Sequence, residues 1–376
     1  LQTLCYKYEI ELTLRTPDYT GFQLLALNAY SGQGTALEGV LNVFWKEKGY
    51  VDGRQWREFC SPVVPLAKFP KFVFTDIDSV SVPVEIINAT GDNLGETKVS
   101  YTITDSEGRN VAVGIFGYTD ISVGKNNQIG KVDLPIQKVS KPMKYDLSVS
   151  VGDKGRNSWE YWVYPEESVI EVPKNVFVTD TLDNNALSHL EKGFNVLLTA
   201  AGKVTLGKDI VQHYMPVFWN TSWFKMRPPH TTGAYINADH PLFAHSFPTD
   251  DWSNLNWWEL LNKAQVMNLL ELPAEYQSPI QPIDTWHLSR KLGMVVEANV
   301  LNGKLFMTTM DLDTDLDNRI VAKRMRNAIL SYLSSEDFKP IITLQPEIIT
   351  DFFTKKTAPV EMYTNETPDE LKPKLK

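Results

Sequence analysis

Cysteine is nearly missing: Cys5 and Cys60 are the two present in 376 residues. That excludes a disulfide framework and a Cys-rich metal site, and leaves either one bridge or two buried thiols. Long apolar runs are lacking too. No stretch reaches the length of a membrane span, and Leu1–Ile10 has no signal-peptide layout, so no membrane insertion is expected. Dense Lys/Arg clusters are also absent. With a formal net charge of −9, this argues against nucleic acid or an anionic membrane as the main partner.

Several catalytic signatures are missing as well. There is no G-x-S-x-G elbow for a nucleophilic serine, and the glycine-rich stretch near the N-terminus has no Walker lysine. His213, His230, His240, His245 and His287 form no metal spacing such as HExxH, and His240 and His245 fall in a turn-rich segment where solvated rings are expected. The run "DLDTDLDN", Asp311 to Asn318, departs from an EF-hand loop, with Leu316 and Ala322 where Gly and Glu are required. Helix capping by Asp315 or Asp317 explains it more simply. No metal and no cofactor are expected.

What the chain does have is aromatic side chains, at 11% with ten Trp, and length enough for two or three domains. Its patterning changes twice. Residues 1–62 read as helix, strand, helix. Leu4, Cys5, Tyr8 and Leu12 share one face of the first helix, which stops before Pro17. "FQLLAL", Phe22–Leu27, has the unbroken apolar character of a parallel strand, and Leu37, Val40, Leu41, Phe44 and Trp45 recur at helical spacing. A shorter helix through Trp56 and Phe59 follows Gly49. Residues 63–167 turn to period two, with about seven short β-rich runs and a hairpin at "DSEGRN", which predicts an Ig-like β-sandwich. Residues 168–335 alternate strands and helices around a central sheet, with a helix capped by Asp183 and closed by Gly193. Residues 336–376 read as an extension and loose tail.

Acid–base sugar chemistry needs two carboxyl groups about 5–10 Å apart across the bond. Glu9 and Glu11 are weak candidates, because both lie inside a helical pattern where exposed charge is the usual reading. The loop "NAYSGQGT" follows Phe22–Leu27, at the end of a strand where α/β folds place ligands. Asn28 and Gln33 offer amides and Tyr30 a stacking face; a glycine turn that only reverses the chain explains the loop equally well. Trp219, Trp223, Trp252 and Trp257 could stack on sugar faces, though packing is the commoner fate of Trp. Trp258 fits a helical core face with Leu255 and Leu261.

The order of these segments, and the stretches "LRTPDYTGFQLLALNAYSGQGTALEGVLNVFW", "SWEYWVYP" and "PVFWNTSWFKMRPPHTTG", resemble the C-terminal region of family 2-like, β-galactosidase-related glycoside hydrolases of Bacteroidetes. The resemblance implies that residues 1–62 are the C-terminal segment of a (β/α)8 barrel. It implies further that 63–167 are an accessory sandwich, and that 168–335 are a glutamine-amidotransferase-like α/β domain without its Cys nucleophile. It implies a retaining hydrolase lineage, a carbohydrate partner, and the periplasm or cell surface of a Gram-negative bacterium. The glutamates that do the family's chemistry have no counterpart in this chain, so the fragment is expected to be inactive alone. The alternative is a non-catalytic protein that binds carbohydrate or a partner.

Overall fold

Alternating apolar residues need a sheet on which to alternate, and residues 63–164 supply two. The computed structural model describes residues 1–18, 21–30, 39–212, 214, 231–285 and 288–357. The chain is multidomain and mostly β, dividing into two compact units, Leu1–Pro165 and Glu166–Lys376.

The first unit opens with α1 (Gln2–Arg15), ended by extended backbone at Thr16 before Pro17. The expected apolar face is rotated: α1 buries Ile10 and Glu11, while Leu12 is 65% exposed. The strand expected at Phe22–Leu27 and the helix expected through Val40, Leu41, Phe44 and Trp45 are both absent. This stretch is irregular where it is described, with isolated bridges Asn28–Leu41 and Leu41–Glu47. Leu37 lies outside the described residues. An apolar run becomes a strand only when neighbouring strands take its hydrogen bonds, and among the described residues Phe22–Leu27 bonds only through Leu27 O to Leu41 N. No barrel segment forms among the described residues of 1–62. A short helix, α2 (Gly53–Arg57), does form, opened by a capping box between Asp52 and Gln55.

Eight strands follow: β1 (Val63–Ala67), β2 (Val73–Thr75), β3 (Ser81–Asn88), β4 (Glu96–Asp105), β5 (Asn110–Asp120), β6 (Gly124–Asp133), β7 (Met143–Val151) and β8 (Gly155–Tyr164). They build a three-stranded sheet, β1-β3-β6, and a five-stranded sheet, β2-β8-β7-β4-β5. Val82, Val84 and Ile86 from one sheet meet Ile103, Leu147, Val149 and Tyr161 from the other in a single core. β7 shows why the reading by period two works, since every second residue from Tyr145 to Val151 is buried. β1 escaped that reading because all five of its residues are buried. Its second face, with Val64 and Leu66, is covered by Leu14 of α1.

The second unit contains β9 (Val176–Thr179), α3 (Asn184–Glu191), β10 (Asn195–Thr199), β11 (Ala234–Ile236), α4 (Pro241–Ala244), α5 (Trp258–Asn262), β12 (Met267–Asn268), β13 (Ile280–Pro282), β14 (Leu292–Gly293), β15 (Val295–Val300), β16 (Gly303–Thr308), α6 (Ile320–Ser334) and α7 (Pro346–Thr354). Asp183 caps α3 through Ala186 N at 2.8 Å, and Gly193 follows in the left-handed region at φ +85°. The main sheet has the order β15-β16-β10-β9, parallel across β9, β10 and β16 and antiparallel between β16 and β15. Val196, Leu198, Val296, Ala298, Leu305 and Met307 face α3 and α7. Residues between them in sequence, among them Phe306, face the α6 side.

Residues 336–354 differ from the expected extension. Ile342, Leu344, Ile349 and Phe352 are part of the same core, and α7 carries them into it. The expected tail from 358 onward lies outside the described residues.

Candidate functional site

Glu11 is not the exposed helix charge that its sequence context predicts. It is fully buried. One carboxylate oxygen accepts from Asn157 Nδ2 at 2.8 Å and pairs with Lys7 Nζ at 2.7 Å. The other accepts from Trp159 Nε1 at 3.0 Å and from Arg15 Nη2 at 3.1 Å. Asn157 also donates to Pro65 O, and Arg15 to Ala67 O, so the network ties α1 to β1 and β8. A buried carboxylate is tolerable only with this kind of complete pairing. Glu9 lies on the exposed surface of α1.

Asn28 bridges Leu41, and Tyr30 lies two residues further on. Tyr30 is 62% exposed, and Asn28 Nδ2 turns to Ala29 O at 3.2 Å. The chain returns close by at Gly39, where a Cβ would fall 2.2 Å from the Asn28 carbonyl carbon, so only glycine fits that crossing. Gln33 lies outside the described residues, as do Trp219, Trp223, His213, His230 and His287. Trp252 is half-buried and bridges Tyr235.

Of the neighbouring tryptophans, Trp258 departs from its expected core place, while Trp257 takes the packing role that is the commoner fate. Trp257 is fully buried, donating Nε1 to Thr249 Oγ1 at 3.0 Å, whereas Trp258 is 55% exposed. The cause is local: Leu255–Trp257 is a 3-10 turn that hands over to the five-residue α5, so the α-helical spacing assumed from Leu255 does not apply. The aspartate run also differs. α6 has Arg319 at its N-cap with no side-chain cap bond, and neither Asp315 nor Asp317 caps it. Asp311 organises the turn instead, accepting from Thr314 N and pairing with Arg319 Nη1 at 3.0 Å.

The polar cluster that the fold does assemble lies on the α6 side of the second sheet. Glu297 projects from β15, opposite Phe306 of β16, and is 7% exposed. Its Oε2 is 3.4 Å from His240 Nε2 and 3.4 Å from the Tyr332 hydroxyl of α6. His240 caps α4 by accepting from Leu242 N on Nδ1 at 3.3 Å, which places the proton of the neutral ring on Nε2, facing the carboxylate. The ring is half-buried rather than solvated, and so is His245, 3.4 Å from Asp337. Glu297 Oε1 has no hydrogen-bond partner among the described residues. Burial first, and then the Glu297 charge, pushes the Tyr332 hydroxyl well above its ordinary range, so it stays a donor. Phe243, Phe306 and Phe338 wall the aromatic surroundings. The arrangement brings His240 Nε2 and the Tyr332 hydroxyl to one carboxylate oxygen, while the other has no partner among the described residues. Sequence reasoning missed Glu297 and Tyr332. The available signal was a single charge inside the apolar run "GMVVEANV".

Among the described residues no group of three or more His, Cys, Asp or Glu could hold a metal ion, and no helix is long and apolar enough to cross a membrane.

Two family models match the chain, both domains of unknown function: DUF8488 over residues 78–165 and DUF8487 over residues 177–354. The second match runs to the last residue of α7. No curated protein matches. Among solved structures, an exo-chitosanase of Amycolatopsis orientalis is 13% identical over 46% of this chain and 19% of its own, with a TM-score of 0.32. A β-glucosidase from Listeria innocua in complex with glucose is 14% identical over 27% of this chain and 16% of its own, with a TM-score of 0.21. The CARDB domain of a Pyrococcus furiosus protein is 14% identical over 27% of this chain and 84% of its own, with a TM-score of 0.20. This chain therefore spans less than a fifth of the two glycoside hydrolases.

Proposed function

We propose that the chain supplies accessory units, and part of the substrate rim, of a retaining, β-galactosidase-like glycoside hydrolase acting on glycans. The observation that supports an accessory rather than a catalytic role is the saturation of Glu11. A general acid or base must reach a substrate oxygen by hydrogen bond. Glu11 has no exposed surface, and both its oxygens are taken by donors from Lys7, Arg15, Asn157 and Trp159. Its partner candidate, Glu9, is left alone on the helix surface. In this reading the second unit is an amidotransferase-like scaffold with no thiol to act as nucleophile, since Cys5 and Cys60 both belong to the first unit. Sugar contact falls to the amides and rings at Asn28, Tyr30 and Gln33, with Trp252 and the Trp219–Trp223 stretch as further stacking faces. The same lineage places the protein in the periplasm or at the surface of a Gram-negative bacterium.

The test is turnover of p-nitrophenyl β-galactoside by the purified chain. No hydrolysis above the buffer rate is expected. Hydrolysis that disappears in Glu9→Gln or Glu11→Gln would overturn the accessory reading.

One observation favours a second reading, a non-catalytic module that holds a protein partner. Leu25, Phe44 and Trp45 are 64%, 78% and 65% exposed, and large apolar side chains that join into one exposed patch mark interaction sites.

A further inference from the structure

A cleft of about 480 Å³ opens at one end of the sandwich, a volume within the range of small-molecule sites. Its walls are the β4–β5 turn, around Asp105 to Val111, and the β6–β7 connection, from Gln137 to Met143, with Tyr145 of β7 between them.

Both walls are tied down by groups that do not themselves remain available. Asp105 accepts from the backbone of Glu107 and Arg109 at 2.9 and 3.0 Å and from Arg109 Nε at 2.8 Å. Asp76 holds the second wall through Lys138 Nζ at 3.0 Å and Val139 N at 3.3 Å. Tyr145 is 7% exposed, and its ring is stacked on Tyr161 at 5.3 Å. These contacts fix the walls and neutralise Arg109 and Lys138.

What is left over points one way. Asn110, Gln137, Ser140 and Lys141 line the cleft with exposed side chains that make no hydrogen bond among the described residues, and the mostly buried Tyr145 closes it from below. Val111, Val139 and Met143 supply apolar wall between them. Amides, hydroxyls and an apolar strip match a pyranose ring, with its polar rim and C–H face. Of the charged side chains that line the cleft, Lys141 has no counter-ion among the described residues, on a chain whose net charge is −9. Burial, and then Asp105, push the Tyr145 hydroxyl above its ordinary range, which keeps it a donor.

We propose that this cleft binds an acidic saccharide, its carboxylate at Lys141 and its ring hydroxyls at Asn110, Gln137 and Tyr145. The site uses none of Asn28, Tyr30, Gln33 or Trp252, so it stands or falls separately from the accessory reading above.

The experiment is an NMR titration of the full chain with tri-galacturonic acid and, in parallel, with neutral cellotriose. Saturable shifts are expected for tri-galacturonic acid at residues 105–111 and 137–145, and those for cellotriose should be at least fivefold weaker. Adding 0.5 M NaCl should weaken the acidic ligand, because a solvent-facing charge contact is screened. Lys141→Ala and Tyr145→Phe should each weaken binding at least fivefold while unfolding at the same denaturant concentration as the parent. Tyr145→Phe keeps the stacked ring and removes only the hydroxyl. The proposal is overturned if no residue of the two walls shifts, if cellotriose binds as tightly, or if both variants bind like the parent.

Discussion

The indole of Trp159 donates to Glu11 Oε2 at 3.0 Å, joining β8 of the sandwich to the first helix through two fully or almost fully buried side chains. The pair explains why a glutamate points inward from α1. An indole N–H buried without an acceptor is costly, and the nearest chain able to offer one is the helix lying over β1. Lys7 and Arg15, one turn to either side of Glu11, complete the compensation, and Lys7 also lies over the Trp159 ring at 5.0 Å.

Glu11→Ala therefore leaves two cations and an indole without their common acceptor. A loss of about 3–5 kcal/mol is expected in urea unfolding. Glu11→Gln keeps one acceptor and should lose about 1–3 kcal/mol. An alanine variant within about 0.5 kcal/mol of the parent would mean that the network adds nothing to the docking of α1.

A second carboxylate works against stability. Asp146 on β7 stands directly opposite Glu160 on β8. Burial, Glu160 and Glu58 raise its carboxyl from the ordinary 3.8 to about 6. The folded state then holds a proton between pH 4 and 6 that the unfolded state has released, so stability falls as pH rises through that window. Asp146→Asn removes the charge. At pH 7 it should stabilise by about 1–3 kcal/mol, and near pH 4 the gain should vanish. Denaturation curves at both pH values check this; an equal effect at both would remove ionisation as the cause.

The sandwich was legible because its strands are half-buried, as β7 shows. β1 was not, since its uniform burial carries no period. The helices α3 and α6 announced themselves through a capping aspartate and a long apolar face. α7 did not, although Ile348, Ile349, Phe352 and Phe353 form its apolar stripe, because the Lys-, Glu-, Thr- and Pro-rich residues that follow it gave the whole of 336–376 the composition of a tail. For the sites, i, i+4 spacing of Lys7, Glu11 and Arg15 is the signature of a solvated ladder. Only the position of Trp159 and Asn157, far away in sequence, turns that ladder inward. Phe22–Leu27 failed for the opposite reason: its composition is that of a buried strand, but among the described residues no strand pairs with it.

That failure has a measurable consequence. Residues 21–30 and 39–50 hold few backbone bonds, and Phe22, Leu25, Phe44 and Trp45 remain exposed. Hydrogen exchange should find these amides opening well before those of β3, β4, β7 and β8. Residues 10–15 of α1, pinned by Glu11, should follow the sandwich. Equal protection of residues 21–30 and the sandwich strands would show that the segment has acquired a partner in solution.

Glu297 and Tyr332 offer a test of the second unit. A double-mutant cycle with Glu297→Gln and Tyr332→Phe should give a coupling of about 0.5–2 kcal/mol, as expected for a buried donor and a charged acceptor in contact. Strict additivity would mean that the 3.4 Å contact is not an energetically significant bond.

The accessory role is tested most directly by the size and activity of the native polypeptide, recovered from cells with an antibody raised against this chain. The account predicts one continuous polypeptide longer by at least about 250 residues, enough for a (β/α)8 barrel, that hydrolyses p-nitrophenyl β-galactoside. A native polypeptide of 376 residues, or a longer one with no glycosidase activity, would contradict it.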